Sequence, residues 1–156
     1  MEMSKKSWLW MLVFLFASCS VGQKVVKISK TLQQKVETKD FTIFVARCLP
    51  SDLENLAFNS DVVLKVKNDS AYANLPFHGL LNVKQLETPT DPISFNGPMK
   101  EFSMTQNPTV GWNVTFKIES KPYIYQVFIQ IATNGKAVAK ITSTTRTTMT
   151  YFGDTD

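Results

Sequence analysis

The chain has 156 residues, of which 44% are hydrophobic and 19% charged, and a formal net charge of +4. That length suggests one domain, and the composition excludes intrinsic disorder. The charge excess is mild and has no basic run, which speaks against nucleic acid as a partner. Two cysteines are too few for a disulfide framework.

The first element is the leader MEMSKKSWLWMLVFLFASC. Lys5 and Lys6 form a positive start, Trp8 to Ala17 is an unbroken apolar run, and small residues follow. A membrane-spanning helix needs about 20 apolar residues, so this layout predicts an export signal. Three readings of Cys19 stand open. LFASC resembles a bacterial lipobox, with Phe16 where leucine is usual, and this reading is favoured. Cleavage could instead fall after Gly22, leaving a soluble periplasmic protein. Cys19 could also survive and pair with Cys48 in an oxidising compartment. Residues 1–22 are therefore assigned to a signal peptide of lipoprotein type, cleaved before Cys19. Residues 23–156 are assigned to a single β-rich domain. Cys19 is the expected lipidation site, and the lipid anchor makes the membrane the expected partner.

After the leader, Lys24 to Asp40 places Val25, Ile28, Leu32 and Val36 at spacings of three and four. That is one apolar stripe, and it predicts an amphipathic helix packed on the core. From Phe41 onward the period becomes two. Phe41, Ile43 and Val45 alternate with Thr42, Phe44 and Ala46. Val62, Leu64 and Val66 oppose Lys65 and Lys67. Val114, Phe116 and Ile118 share one face of a strand, and Tyr125, Val127, Ile129 and Ile131 one face of the next. KAVAKITST and RTTMTYF continue in the same style. These are half-buried antiparallel strands. Asn134-Gly135 predicts a two-residue hairpin, while Ser120 to Pro122, Asn107-Pro108 and Thr88 to Pro92 predict turns. Leu49 to Ser60 reads as a longer loop with room for one helical turn. Tyr151 and Phe152 are adjacent and must face opposite sides of a strand, so both faces carry aromatics. The expected architecture is mainly β. An N-terminal helix packs on a curled antiparallel sheet, a sandwich or barrel-like meander of about seven to nine strands.

Candidate chemistry is sparse. His78 is the sole histidine, and no second histidine or cysteine cluster stands at metal-ligand spacing, so no metal or cofactor is expected. Cys48 is expected to face inward, away from any partnership with His78. Asp52 with Glu54, and Asp154 with Asp156, are the closest acidic pairs, but nothing places either pair across a cleft as a glycosidase requires. Nucleophile-elbow, phosphate-loop and dinucleotide-binding motifs do not occur. The chain is expected not to be an enzyme.

NLPFHG at Asn74 to Gly79, ISFNGPMKEF at Ile93 to Phe102, and YIYQVFIQIATNGKAVAKITSTTRTTMTYFG at Tyr123 to Gly153 stand in a telling order. Together they resemble a Bacteroidetes envelope family known as domain of unknown function 4251. Its members resemble one another in a leader, an N-terminal helix, an LPYFG-like segment, an I-x-F segment and a C-terminal hairpin ending R-x-x-I-x-Y-x-G. His78 stands where that family often has an aromatic residue, so no role carries over to it. The resemblance implies an exported, mostly β protein of the cell envelope. The residues after Cys19, Ser-Val-Gly-Gln-Lys, lack the acidic run that resembles surface-export signals of this bacterial group, so the lipoprotein is expected to be anchored in the outer membrane and to face the periplasm. It implies no activity. Three functions are open: a non-catalytic binding or structural module, a carrier of a small apolar ligand inside the curled sheet, and a protein–protein or inhibitor module.

Overall fold

Alternation of apolar and polar residues along each strand gives a sheet with one oily face, and a sheet this long hides that face by curling on itself. The structure, a computed structural model, describes residues 29–49, 62–77 and 91–156. Within them lie one helix, α1 (Lys30–Glu37), and nine strands: β1 (Asp40–Leu49), β2 (Val63–Lys67), β3 (Ser70–Leu75), β4 (Ile93–Pro98), β5 (Lys100–Asn107), β6 (Gly111–Ser120), β7 (Tyr123–Ala132), β8 (Lys136–Ser143) and β9 (Met149–Thr155). All belong to one sheet in the order β4-β3-β2-β1-β9-β8-β7-β6-β5, and every neighbouring pair is antiparallel. Two meanders, β1 to β4 and β5 to β9, are thus joined edge to edge by β1 and β9.

The outer strands of the sheet, β4 and β5, are separated in sequence by Met99 alone. They act as one bent strand that pairs with β3 over its first half and with β6 over its second. A register shift between Lys100 and Ser103 makes the bend, with Glu101 at a φ of 51°. The Ser120 hydroxyl then donates to the Ser94 carbonyl across the remaining gap, at 2.9 Å. The result is a nearly closed barrel rather than a sandwich.

The barrel interior is the core. Phe41, Ile43, Leu64, Val66, Val114, Phe116, Val127, Ile129, Ile131 and Ile141 all point inward and are buried. The predicted period of two holds on β2, β6, β7, β8 and β9, and on β1 except near its end. There a bulge between Val45 and Arg47 turns Ala46 and Arg47 outward together and brings Cys48 inward. The Arg47 guanidinium then lies over the Phe152 ring at 4.3 Å.

Helix α1 has only eight described residues, too short to be stable alone. It is held by Leu32 and Val36 on the core and ends where Lys39 takes a φ of 55°. Val25 and Ile28 of the predicted stripe, the leader with Cys19, and the loop predicted after Leu49 lie outside the described residues. Asp156 links the helix to the strands. One carboxylate oxygen accepts from the Thr42 N–H at 3.0 Å, and the other meets Lys35 Nζ at 3.2 Å.

The hairpin glycines differ in what they permit. Both have positive φ, +126° at Gly111 and +86° at Gly135. A Cβ on Gly111 would overlap the Ile131 carbonyl oxygen, whereas on Gly135 its nearest neighbour would be Thr155 Oγ1 at 3.5 Å. We expect Gly135→Ala to cost about 1 kcal/mol, through backbone strain alone. Gly111→Ala should cost distinctly more, because backbone atoms must shift. Ile129→Ala and Ile131→Ala should each cost about 2–5 kcal/mol. Urea unfolding midpoints of the four variants check this order.

Candidate functional site

The two ends of the barrel are built differently. One end carries α1 and the hairpins β2–β3, β5–β6 and β7–β8. From the other end leave the connections β1–β2, β3–β4, β6–β7 and β8–β9. Of the three polar residues buried among the described residues, Ser143 and Arg146 lie at this second end, while Thr133 lies at the first, in the β7–β8 hairpin.

Arg146 lies in the β8–β9 connection and is only 2% exposed. Its guanidinium carbon lies 3.9 Å from the centre of the Tyr123 ring and 5.0 Å from that of Phe77. Arginine suits this place because its flat, weakly hydrated cation stacks on aromatic faces while its edge still donates. Nη1 donates to the Asp91 carbonyl at 3.1 Å and lies 3.4 Å from that of Pro92. Five residues later Tyr151 points into the barrel, and its hydroxyl donates to the Pro76 carbonyl at 2.7 Å. The two side chains therefore grip both stems of the β3–β4 connection, Pro76–Phe77 on entry and Asp91–Pro92 on return.

Tyr125 sits below, its ring 5.8 Å from those of Phe95 and Tyr123. Burial pushes the Tyr125 phenol above its ordinary value against the lowering influence of Arg146. Burial does the same, more strongly, to Tyr151. Both are thereby held neutral, and Tyr151 keeps the proton it donates to Pro76. Cys48 faces Tyr151 across the β1–β9 pair. Its sulfur is free and buried, and burial raises its thiol, which leaves it a weak nucleophile.

Of the residues singled out from sequence, Cys19, His78, Asp52 and Glu54 lie outside the described residues. Cys48 is inward, as expected. Asp154 and Asp156 each have partners of their own: Asp154 binds Lys136 at 2.7 Å, and Asp156 binds Lys35 and Thr42. No group of three or more metal-ligating side chains occurs among the described residues. Sequence reading missed Arg146 and the pairing of Tyr151 with Pro76. An arginine in a threonine-rich run looks like a solvated charge, and its aromatic sandwich comes from segments 69 and 23 positions away. The one available signal was the R-x-x-I-x-Y-x-G pattern itself.

That pattern now has a physical reading. Arg146 and Tyr151 clamp the connection, Met149 fills the core with no exposure, and a Cβ on Gly153 would overlap the Phe44 carbonyl oxygen on β1. Ile93 and Phe95 of the I-x-F segment are buried in the same barrel. The family model described as Domain of unknown function (DUF4251) matches residues 26–155. The chain belongs to this family. A matching solved structure is the crystal structure of a DUF4251 family protein from Bacteroides eggerthii DSM 20697. It aligns with a TM-score of 0.62 at 14% identity, covering 79% of this chain and 83% of that one. At that identity it speaks for the fold. No curated protein matches the chain.

The clamp has a pH signature. Tyr125 and Tyr151 keep their protons more tightly when folded than when unfolded. Their contribution is fully present below the unfolded tyrosine value of about 10 and is lost as pH rises above it, because the unfolded chain ionises first. Urea stability should therefore fall steeply above about pH 10. The fall should be shallower in Tyr151→Phe, which should itself be less stable at neutral pH by about 1–2 kcal/mol from the lost bond to Pro76. Chemical unfolding between neutral and strongly alkaline pH, with both proteins, checks this.

Proposed function

We propose that this protein is an exported lipoprotein of the cell envelope, anchored through Cys19 and facing the periplasm, that works as a non-catalytic binding module. The grip on the β3–β4 connection carries this reading. A buried arginine and a buried tyrosine are spent on holding both stems of one connection, the arrangement expected when a rigid scaffold displays a recognition segment. Burial raises the Tyr125 and Tyr151 phenols further from neutral pH, which favours binding over acid–base chemistry.

Two measurements test it. Intact mass of protein taken from its own membranes should show a chain starting at Cys19 with added acyl mass. A chain starting at Ser20 or Gln23 without that mass defeats the anchor. Capture of partners from the same membranes should fail when residues 80–88 are replaced by a glycine–serine stretch of equal length, with the unfolding midpoint little changed. Equal capture by both proteins defeats the binding role of this connection.

A second reading, a carrier of a small apolar ligand, is favoured by one observation. The Trp112 indole N–H is buried inside the barrel with no acceptor among the described residues. Buried indole N–H groups ordinarily find a partner, and a ligand carbonyl or carboxylate would supply one. Trp112 is the single tryptophan after residue 22, so its fluorescence in the leaderless protein reports on this place alone. A carrier should show saturable change in that emission on titration with oleate, at one ligand per chain. An unchanged spectrum defeats the carrier reading.

A further inference from the structure

The outer face of β1 to β4 carries three parallel cross-strand rows. Phe44 and Val63 stand opposite each other in the first, with Asn74 and Ser94 paired beyond them. Thr42, Lys65, Tyr72 and Asn96 make the second, and Asp40, Lys67, Ser70 and Pro98 the third. Around the second and third lies an open groove of about 370 Å³, bordered by Lys65, Lys67, Asn68, Ser70, Tyr72 and Asn96.

Three properties set this face apart. Tyr72 is 41% exposed, and no cation of the described residues lies over its ring, unlike those of Phe77, Phe102, Tyr123 and Phe152. Lys65 and Lys67 form no ion pair among the described residues, whereas Lys35, Lys39, Lys100, Lys117 and Lys136 each have one. The acid nearest the β2–β3 turn, Asp69, is drawn to Lys39 at 2.9 Å. Asp40 stands opposite Lys67 but is not ion-paired with it. The groove is left with a positive balance, an open aromatic face, two side-chain amides and a hydroxyl. Residues two apart on a strand are about 7 Å apart on the same face, so the ammonium groups can bracket one anionic substituent while a ring lies on Tyr72.

We propose that this groove binds an acidic saccharide. A sugar ring stacks on Tyr72, its carboxylate meets Lys65 and Lys67, and its hydroxyls meet Asn96, Asn68 and Ser70. An aromatic face takes the apolar C–H side of a sugar, and amides and hydroxyls match the two-way hydrogen bonding of its alcohols. The proposal is independent of the lipid anchor and of the β3–β4 connection, whose two stems are at the end of the barrel.

The probe is a galacturonate tetramer, with the uncharged galactose tetramer beside it, titrated into the leaderless protein by calorimetry and by amide-shift mapping. Expected is binding of the acidic tetramer with Kd of about 1 mM or tighter, shifts centred on β2, β3 and β4, and at least tenfold weaker binding of the neutral one. Tyr72→Thr, which keeps a strand-forming residue, and the pair Lys65→Gln with Lys67→Gln should each weaken binding about tenfold or more. Phe128→Thr, at an exposed aromatic on β7, should leave it unchanged. Unaltered urea midpoints show that the variants fold. No heat and no shifts at about 10 mM, shifts elsewhere, equal binding of both tetramers, or full binding by the Tyr72 or lysine variants each overturns the proposal.

Discussion

Gly153 on β9 stands opposite Val45 on β1, where any side chain would run into the Phe44 carbonyl oxygen. At this contact the two meanders become one barrel. The strands meet through a ladder from Ile43–Thr155 to Leu49–Thr150, interrupted by the bulge at Ala46. Each meander alone would leave an apolar face in water and an unpaired edge on β1 or β9. Joined, they bury both faces in a shared core. The ladder links residues more than a hundred positions apart, so its loop-closure cost exceeds that of any of the local hairpins. The bulge and the glycine serve one purpose here: the bulged strand bends, and the missing Cβ lets it bend close.

The alternation that predicted strands reflects a local constraint, since each inward residue must be apolar whatever its partner is. It was therefore readable without knowing the pairing, and the inward sets on β1, β2, β6 and β7 stand as expected. A hairpin does form at Asn134-Gly135, but its loop has three residues, Thr133 to Gly135, closed by the Gly135 N–H donating to the Ala132 carbonyl at 2.9 Å. The choice between sandwich and barrel was not readable, because it depends on Met99 joining β4 directly to β5 across the seam. Cys48 faces inward as expected, but the bulge that puts it there is announced by no residue type, since unbroken alternation from Phe41 would have turned it outward. Arg146 was the least legible of all. A charge becomes a core residue only when Tyr123 and Phe77 close on it and backbone carbonyls accept from it, and those partners are set by topology rather than by neighbours in sequence.

The two barrel ends solve one problem in opposite ways. An open barrel end exposes the last layer of interior side chains. At one end α1 covers that layer with Leu32 and Val36, and Asp156 secures it. Burial opposes ionisation of that carboxyl, yet the Thr42 N–H and Lys35 outweigh it and hold the group below its ordinary value. At the other end the cover is polar and aromatic, a cation between two rings with phenols beneath it. Apolar cover suffices to close a core. The second solution costs desolvation of a guanidinium, and it gives a fixed geometry at the stems of one connection, which apolar packing alone would leave looser.

This difference bears on where function can reside in the fold. The interior positions are committed to packing, and the phenols at the loop end are committed to carbonyls and a cation. Gly111 and Gly153 are committed to backbone approach. Outward positions carry none of these duties, and a barrel tolerates many residue types there. In this chain they are nonetheless not uniform. From β5 to β8, Lys100, Lys117 and Lys136 are paired with Glu119, Glu101 and Asp154 while Lys140 has no ion pair among the described residues, and the wall from β1 to β4 places two such lysines, Lys65 and Lys67, beside an open Tyr72. A fold that constrains its inside so tightly has its remaining freedom on the walls and in the long connections, and it is there, rather than in the core, that relatives sharing this barrel can differ in what they bind.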